Sequence, residues 1–110
     1  MINTFKMIIV NTPDIPNLII SKVHGIARGS TVRARNIGSD IFAGLKNIIG
    51  GEISEYTKLQ ADSREQALKR MEEDAIKMGA NAIVNVRITT SMVMQGASEI
   101  LAYGTAVTVD

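Results

Sequence analysis

The stretch "SEILAYGTAVTV", Ser98 to Val109, alternates as a β-strand does, and it is apolar twice over. Successive side chains of a strand point to opposite sides. Ile100, Ala102 and Ala106 therefore share one face, and Leu101, Tyr103, Val107 and Val109 share the other. A sheet with helices on one side needs a single apolar face, because the other meets water. A strand apolar on both faces predicts a second covering layer, and another subunit is its most economical source.

Working outward, "MQGAS" (Met94–Ser98) reads as a hairpin loop, and Asn81–Val93 as the strand before it. The alternation there puts Ala82, Val84, Val86, Ile88 and Met92 on one face, opposed by Asn85, Arg87, Thr89 and Ser91. Upstream, Ile53–Met78 carries the strongest helical pattern, with Leu68, Met71, Ala75 and Met78 on one stripe. Glu65 with Lys69, and Glu73 with Lys77, make favourable i,i+4 pairs on solvent-facing turns. Asp62 and Glu65 resemble a capping box, yet nothing in "YTKLQ" breaks a helix, so one helix is expected from about Ser54. Gly79, in "KMGAN", suits its end because glycine takes positive φ without strain.

Asn36–Ile49 predicts a shorter helix, with Ile37, Ile41, Leu45, Ile48 and Ile49 at helical spacing and Gly50 at its end. "GGEISEY" (Gly50–Tyr56) then reads as the corner between two helices. Leu18–Ala34 is β-rich, with Leu18, Ile20 and Lys22 on one face and Ile19, Ser21 and Val23 on the other. Gly25 and Gly29 imply a bend or a close backbone approach. "MIIV" (Met7–Val10) reads as a short buried strand, closed by "NTPDIP" and its two prolines. Residues 1–6 are expected as a loose extension, and 7–110 as one domain. The expected class is α+β: an antiparallel sheet with two helices on one face, in a homo-oligomer.

With 110 residues the chain has room for one modest core. Hydrophobic residues make up 45% and aromatics only 4%, so aliphatic side chains and methionine must build it. A net charge of +1 argues against electrostatic affinity for nucleic acid or an anionic membrane. The absence of cysteine removes disulfides and thiolate metal sites and fits a reducing compartment. No apolar run approaches the roughly 20 residues that cross a bilayer, and no signal-peptide pattern opens the chain, so a cytoplasmic protein is expected.

Candidate chemistry is sparse. His24 is the only histidine. It suits a general base or a metal ligand, but a zinc site collects three or four ligands, so only symmetry-related copies could form a cage. Glu52 and Glu55, three apart at a helix start with Tyr56 beside them, could hold a hard cation or an acid/base pair. Acids are also favoured there simply by the helix dipole. Arg87 is expected to pair with Glu99 across the hairpin, or to bind an anionic ligand. Arg28, Arg33 and Arg35 form a local basic cluster without the aromatics that nucleic-acid binding wants. Ser98 lacks the glycine pattern of a nucleophile elbow, and the scattered methionines make no copper site.

The blocks "MIIVNTPDIP", "RNIGSDIFAGLKNIIGGEISEYT" (Arg35–Thr57), "REQALKRMEEDAIKMGANAIVNVR" and "GASEILAYGTAV" resemble the YbjQ-like family of small uncharacterised bacterial proteins. Members often carry a provisional heavy-metal-binding label. The resemblance covers about Met7–Val109 and implies a β/α subunit, similar to a dodecin subunit, in a ring-shaped homopentamer. The family's "GGE" corner falls on Gly50, Gly51 and Glu52, and its "GAN" turn on Gly79, Ala80 and Asn81. It implies no established activity.

The reading these features favour is a non-enzymatic homo-oligomer that takes a small ligand or metal ion where subunits meet, with no nucleic-acid or membrane partner. The alternatives are an enzyme with a composite inter-subunit site around Glu52, Glu55 and Tyr56, joined by Arg87 or His24, and a scaffold for another protein.

Overall fold

The structure, a computed structural model, describes residues 6–34 and 54–110, apart from the side chains of 33, 34 and 54–59. The expected helix Asn36–Ile49, the corner at Gly50–Glu52 and residues 1–5 lie outside the described residues. The described elements are β1 (Ile8–Ile9), β2 (Ile20–Ala34), α1 (Ser54–Met78), β3 (Ala82–Met94) and β4 (Ala97–Val109). They form an α+β fold in which α1 packs on a four-stranded sheet ordered β1-β3-β4-β2.

The sheet is mixed rather than antiparallel. β4 runs antiparallel to both neighbours, while β1 joins β3 in parallel, Ile8 opposite Ala82 and Ile9 opposite Ile83. A parallel neighbour needs a long crossover, and the chain between β1 and β3 supplies one that contains β2 and α1. Two-residue β1 gave no periodicity from which its direction could be read. Among the described residues one helix lies on the sheet, where two were expected.

α1 begins and ends where the pattern predicts. Residues 54–78 contain no glycine or proline, and most are strong helix formers. Met71 and Ala75 are fully buried, with Leu68 and Met78 packed beside them, so the predicted stripe is the core face; Ala67 completes it. The four residues of the expected ion pairs, Glu65, Lys69, Glu73 and Lys77, are all exposed. At the C-terminus the Gly79 N–H donates to the Ile76 carbonyl and Ala80 N–H to Ala75, with Gly79 at φ +91°. That is a Schellman cap, and it satisfies carbonyls the helix would leave orphaned.

Asn81, next in line, ties this cap to the sheet. Its Nδ2 donates to the Val109 carbonyl at 2.9 Å, and its Oδ1 accepts the Val109 N–H at 2.8 Å. The side-chain amide thus serves as an extra peptide unit at the start of β3. Asn81→Ala leaves two half-buried backbone groups without partners, and a loss of about 1–3 kcal/mol is expected, read as a lower urea midpoint. Asn81→Asp keeps the acceptor alone and should fall between.

Two corrections concern β3. The predicted single apolar face from Ala82 to Met92 does not exist, because Asn85, at φ +54°, sits in a register shift between Val84 and Arg87. The extra residue reverses the phase of the strand. Ala82 and Val84 therefore pack away from the helix with Val107 and Val109, whereas Ile83 and Val86 join the helix-side core. The hairpin is also tighter than "MQGAS" suggested, since Met94 pairs with Ala97 and Gly96 takes φ +83°.

Both faces of β4 are covered as predicted at its C-terminal end, but its own chain provides the cover. Ile8, Val10, Ile15, Leu18 and Ile20 pack on Ala82, Val84, Val107 and Val109. The argument that this strand needs a second subunit is thereby removed for that half. The two prolines keep Pro13–Pro16 out of any ladder, which lets Ile15 and Leu18 fold over the sheet.

Candidate functional site

α1 lies over β2 and β4 and scarcely touches β3. It approaches β2 tightly at Gly29, where a side chain would run into the backbone of α1 at Ala67, Arg70 and Met71. The glycine that the sequence marked for close approach performs that role. Gly25, at φ +128°, stands in the other predicted irregularity, a register shift between Val23 and Gly25.

Among the described residues β2 is an edge strand, and α1 closes the middle of that edge. Asp74 Oδ2 accepts the Arg28 N–H at 3.0 Å, and Arg70 Nη1 donates to the Ser30 carbonyl at 2.6 Å. A carboxylate and a guanidinium one helical turn apart thus occupy the groups that an incoming strand would pair. Ile26, Arg28, Arg70, Glu73, Asp74, Lys77 and Met78 line a shallow groove of about 550 Å³ beside this clamp.

On the sheet face turned away from α1, the register sets Arg28 opposite Tyr103 and Tyr103 opposite Arg87. Arg87 Nη1 donates to the carbonyls of Asn11 at 3.3 Å and Val86 at 3.1 Å. The expected Arg87–Glu99 pair is not formed. Glu99 lies opposite Ser91 and Val32, four residues along β4 from Arg87's partner, or about 13 Å at strand spacing. The alternation of β3 was read without counting register back from the turn, and the count places Arg87 beside an aromatic ring.

His24 Nε2 stands 2.7 Å from Thr108 Oγ1, half-buried near Gly79. Glu52 lies outside the described residues, and Glu55 and Tyr56 are described only as backbone in the first turn of α1. Sequence reasoning missed Asp74, Arg70 and Asn81 as edge and cap ligands. Their signal, polar side chains at i,i+4 facing a glycine-bearing edge strand, is legible only once the helix is docked. No described helix is long and apolar enough to cross a membrane.

Comparison with known proteins gives a consistent picture. A family profile described as "Putative heavy-metal-binding" and named YbjQ matches residues 7–110. A UPF0145 protein of Methanosarcina acetivorans is 57% identical over 92% of this chain and 95% of its own length. One from Pyrococcus furiosus is 54% identical over 96% and 92%. One from Dehalococcoides mccartyi is 53% identical over 94% and 100%. Since archaea are among these sources, the family is wider than the bacterial one expected. A crystal structure of a protein of unknown function from Pediococcus pentosaceus, assigned to the DUF74 family, superimposes with TM-score 0.62 at 14% identity. It covers 94% of this chain and 98% of that one, and it supports the fold alone.

Among the described residues no three His, Cys, Asp or Glu side chains come together to hold an ion, and the whole chain lacks the thiolates that soft metals prefer. With one family profile spanning residues 7–110 and relatives more than half identical along nearly their full length, this chain belongs to the YbjQ-like family of UPF0145 proteins.

Proposed function

We propose that this chain is a non-enzymatic binding protein that works as a homo-oligomer, with five subunits as the family resemblance implies, and holds a small ligand where subunits meet. The observation that carries the assembly is the outer half of β3. Beyond Arg87 the strand has no neighbour on its outer side among the described residues. Ile88 is 42% exposed, Met92 72%, Val93 53% and Met94 65%. A long apolar edge with free backbone donors and acceptors is a template for another strand, and soluble proteins seldom leave one open. The opposite edge differs, because Asp74 and Arg70 already occupy the middle of β2. One open edge and one clamped edge favour a defined assembly over indefinite stacking.

A native mass spectrum of the untagged protein tests this reading. A pentamer with added mass supports it, and that mass identifies the ligand, including any metal bound by residues of several subunits. A monomer at micromolar concentration overturns it. The double substitution Met92→Lys with Met94→Lys puts two cations on the open edge and is expected to shift the oligomer to monomer without unfolding it.

A further inference from the structure

We infer that the row Arg28–Tyr103–Arg87, on the sheet face turned away from α1, is a binding site for a small ligand carrying a phosphate or carboxylate group. This goes beyond the inter-subunit reading by naming a site within one chain and a ligand class, and it does not depend on the assembly. The three residues sit on adjacent strands β2, β4 and β3 and are direct cross-strand partners. They share the outer face, because their neighbours Ala27 and Gly29 on β2 and Ala102 and Gly104 on β4 point into the core. Two strand spacings separate the arginines, about 10 Å between backbones, and Tyr103 sits on the strand between them.

A structural role for these arginines would be shown by carboxylate partners, and among the described residues neither guanidinium has one. Arg87 is bonded to two neutral carbonyls. Asp74 accepts the Arg28 backbone N–H, and among the described residues the exposed Arg28 side chain makes no hydrogen bond of its own. The flanking rows, Ile26–Thr105–Val84 and Ser30–Leu101–Thr89, contain no charge. Among the described residues the two arginines form no ion pair across the half-buried tyrosine, and the acids of the groove that Arg28 also lines, Glu73 and Asp74, belong to α1.

Among the described residues the cover on this face stops at the same row. Ile15 and Leu18 pack on the Val107 and Val109 end, and Arg87 reaches the Asn11 carbonyl at the start of that covering segment. The row therefore lies beside the covering segment. Guanidinium forks match the two oxygens of a phosphate or carboxylate, and the tyrosine adds a hydroxyl and an aromatic face. A net charge of +1 and a single basic row suit a small anion better than a long polyanion.

The test is calorimetric titration of the protein with inorganic pyrophosphate at low ionic strength. The native protein should bind, Arg28→Gln and Arg87→Gln should each weaken binding by about tenfold, and Lys69→Gln, on the exposed side of α1, should leave it unchanged. Absence of pyrophosphate binding, or equal binding by Arg28→Gln and the native protein, overturns the assignment. If Arg87→Gln fails to fold after losing its carbonyl contacts, Arg28→Gln alone decides, since among the described residues its side chain makes no hydrogen bond. Native mass spectra of the same samples separate the two readings: a monomer that binds retains this site and refutes the assembly, and an oligomer indifferent to Arg28→Gln does the reverse.

Discussion

Gly29→Ala is expected to lower stability by about 3 kcal/mol or more, enough to drop the melting temperature by over roughly 10 °C or to leave the protein insoluble. The added Cβ would overlap the Met71 amide nitrogen and the Ala67 carbonyl oxygen and lie within 2.7 Å of the Arg70 carbonyl carbon. These are helix backbone atoms, so no rotamer change relieves the contact, and α1 would have to lift from β2. Lifting it also breaks the Asp74 and Arg70 contacts that close the β2 edge. Gly25→Ala is the control. Its Cβ meets nothing within 4 Å, yet the backbone sits at φ +128°, so only conformational strain is added and the loss should be smaller. A Gly29→Ala protein that melts with the native one would show that α1 does not sit this close.

Met71→Ala is expected to cost about 2–5 kcal/mol, measured as the shift in urea midpoint at unchanged slope. Met71 is completely buried, and much of the core around it is small: Ala27, Ala67, Ala75, Ala102 and Ala106 are all at zero exposure. Small neighbours allow the helix to sit close to the sheet, but they have no side chain to move into a void. The cavity should therefore stay open, which is the costly case. A loss under about 1 kcal/mol would mean that the site collapses and that the packing is looser than the burial implies.

These two positions also show how far the residue pattern reaches. Met71 was legible as core because a 3.6-residue period identifies a buried stripe without knowledge of what it packs on. Gly29 was legible as an irregularity, but its partner was not, since α1 begins 25 positions further along the chain. The phase of β3 was misread for a related reason. Asn85 is an ordinary polar residue in an alternating run, and only pairing with β4 reveals that it is extra.

The candidate site divides the same way. Arg87 stood out in the sequence as a charge in a polar row, but its partner was assigned by chemistry to Glu99 when register assigned it to Tyr103. Tyr103 itself read as one more apolar-face residue. Arg28 was grouped with Arg33 and Arg35 by position, and the fold regroups it with Arg87, 59 positions away.

By itself the sequence determined the local periods: one long helix from Ser54 to a glycine cap, a β-hairpin, a glycine-marked strand before them, and a charge and cysteine content that exclude thiolate metal chemistry. Those properties are set within a few residues of each position, where backbone sterics and burial of one face act. The tertiary structure alone decided that β1 enters parallel, that the chain covers half of its own second face, and that two arginines flank a tyrosine. Register and layer order depend on which distant segments meet, and a single bulge residue reverses every side chain beyond it.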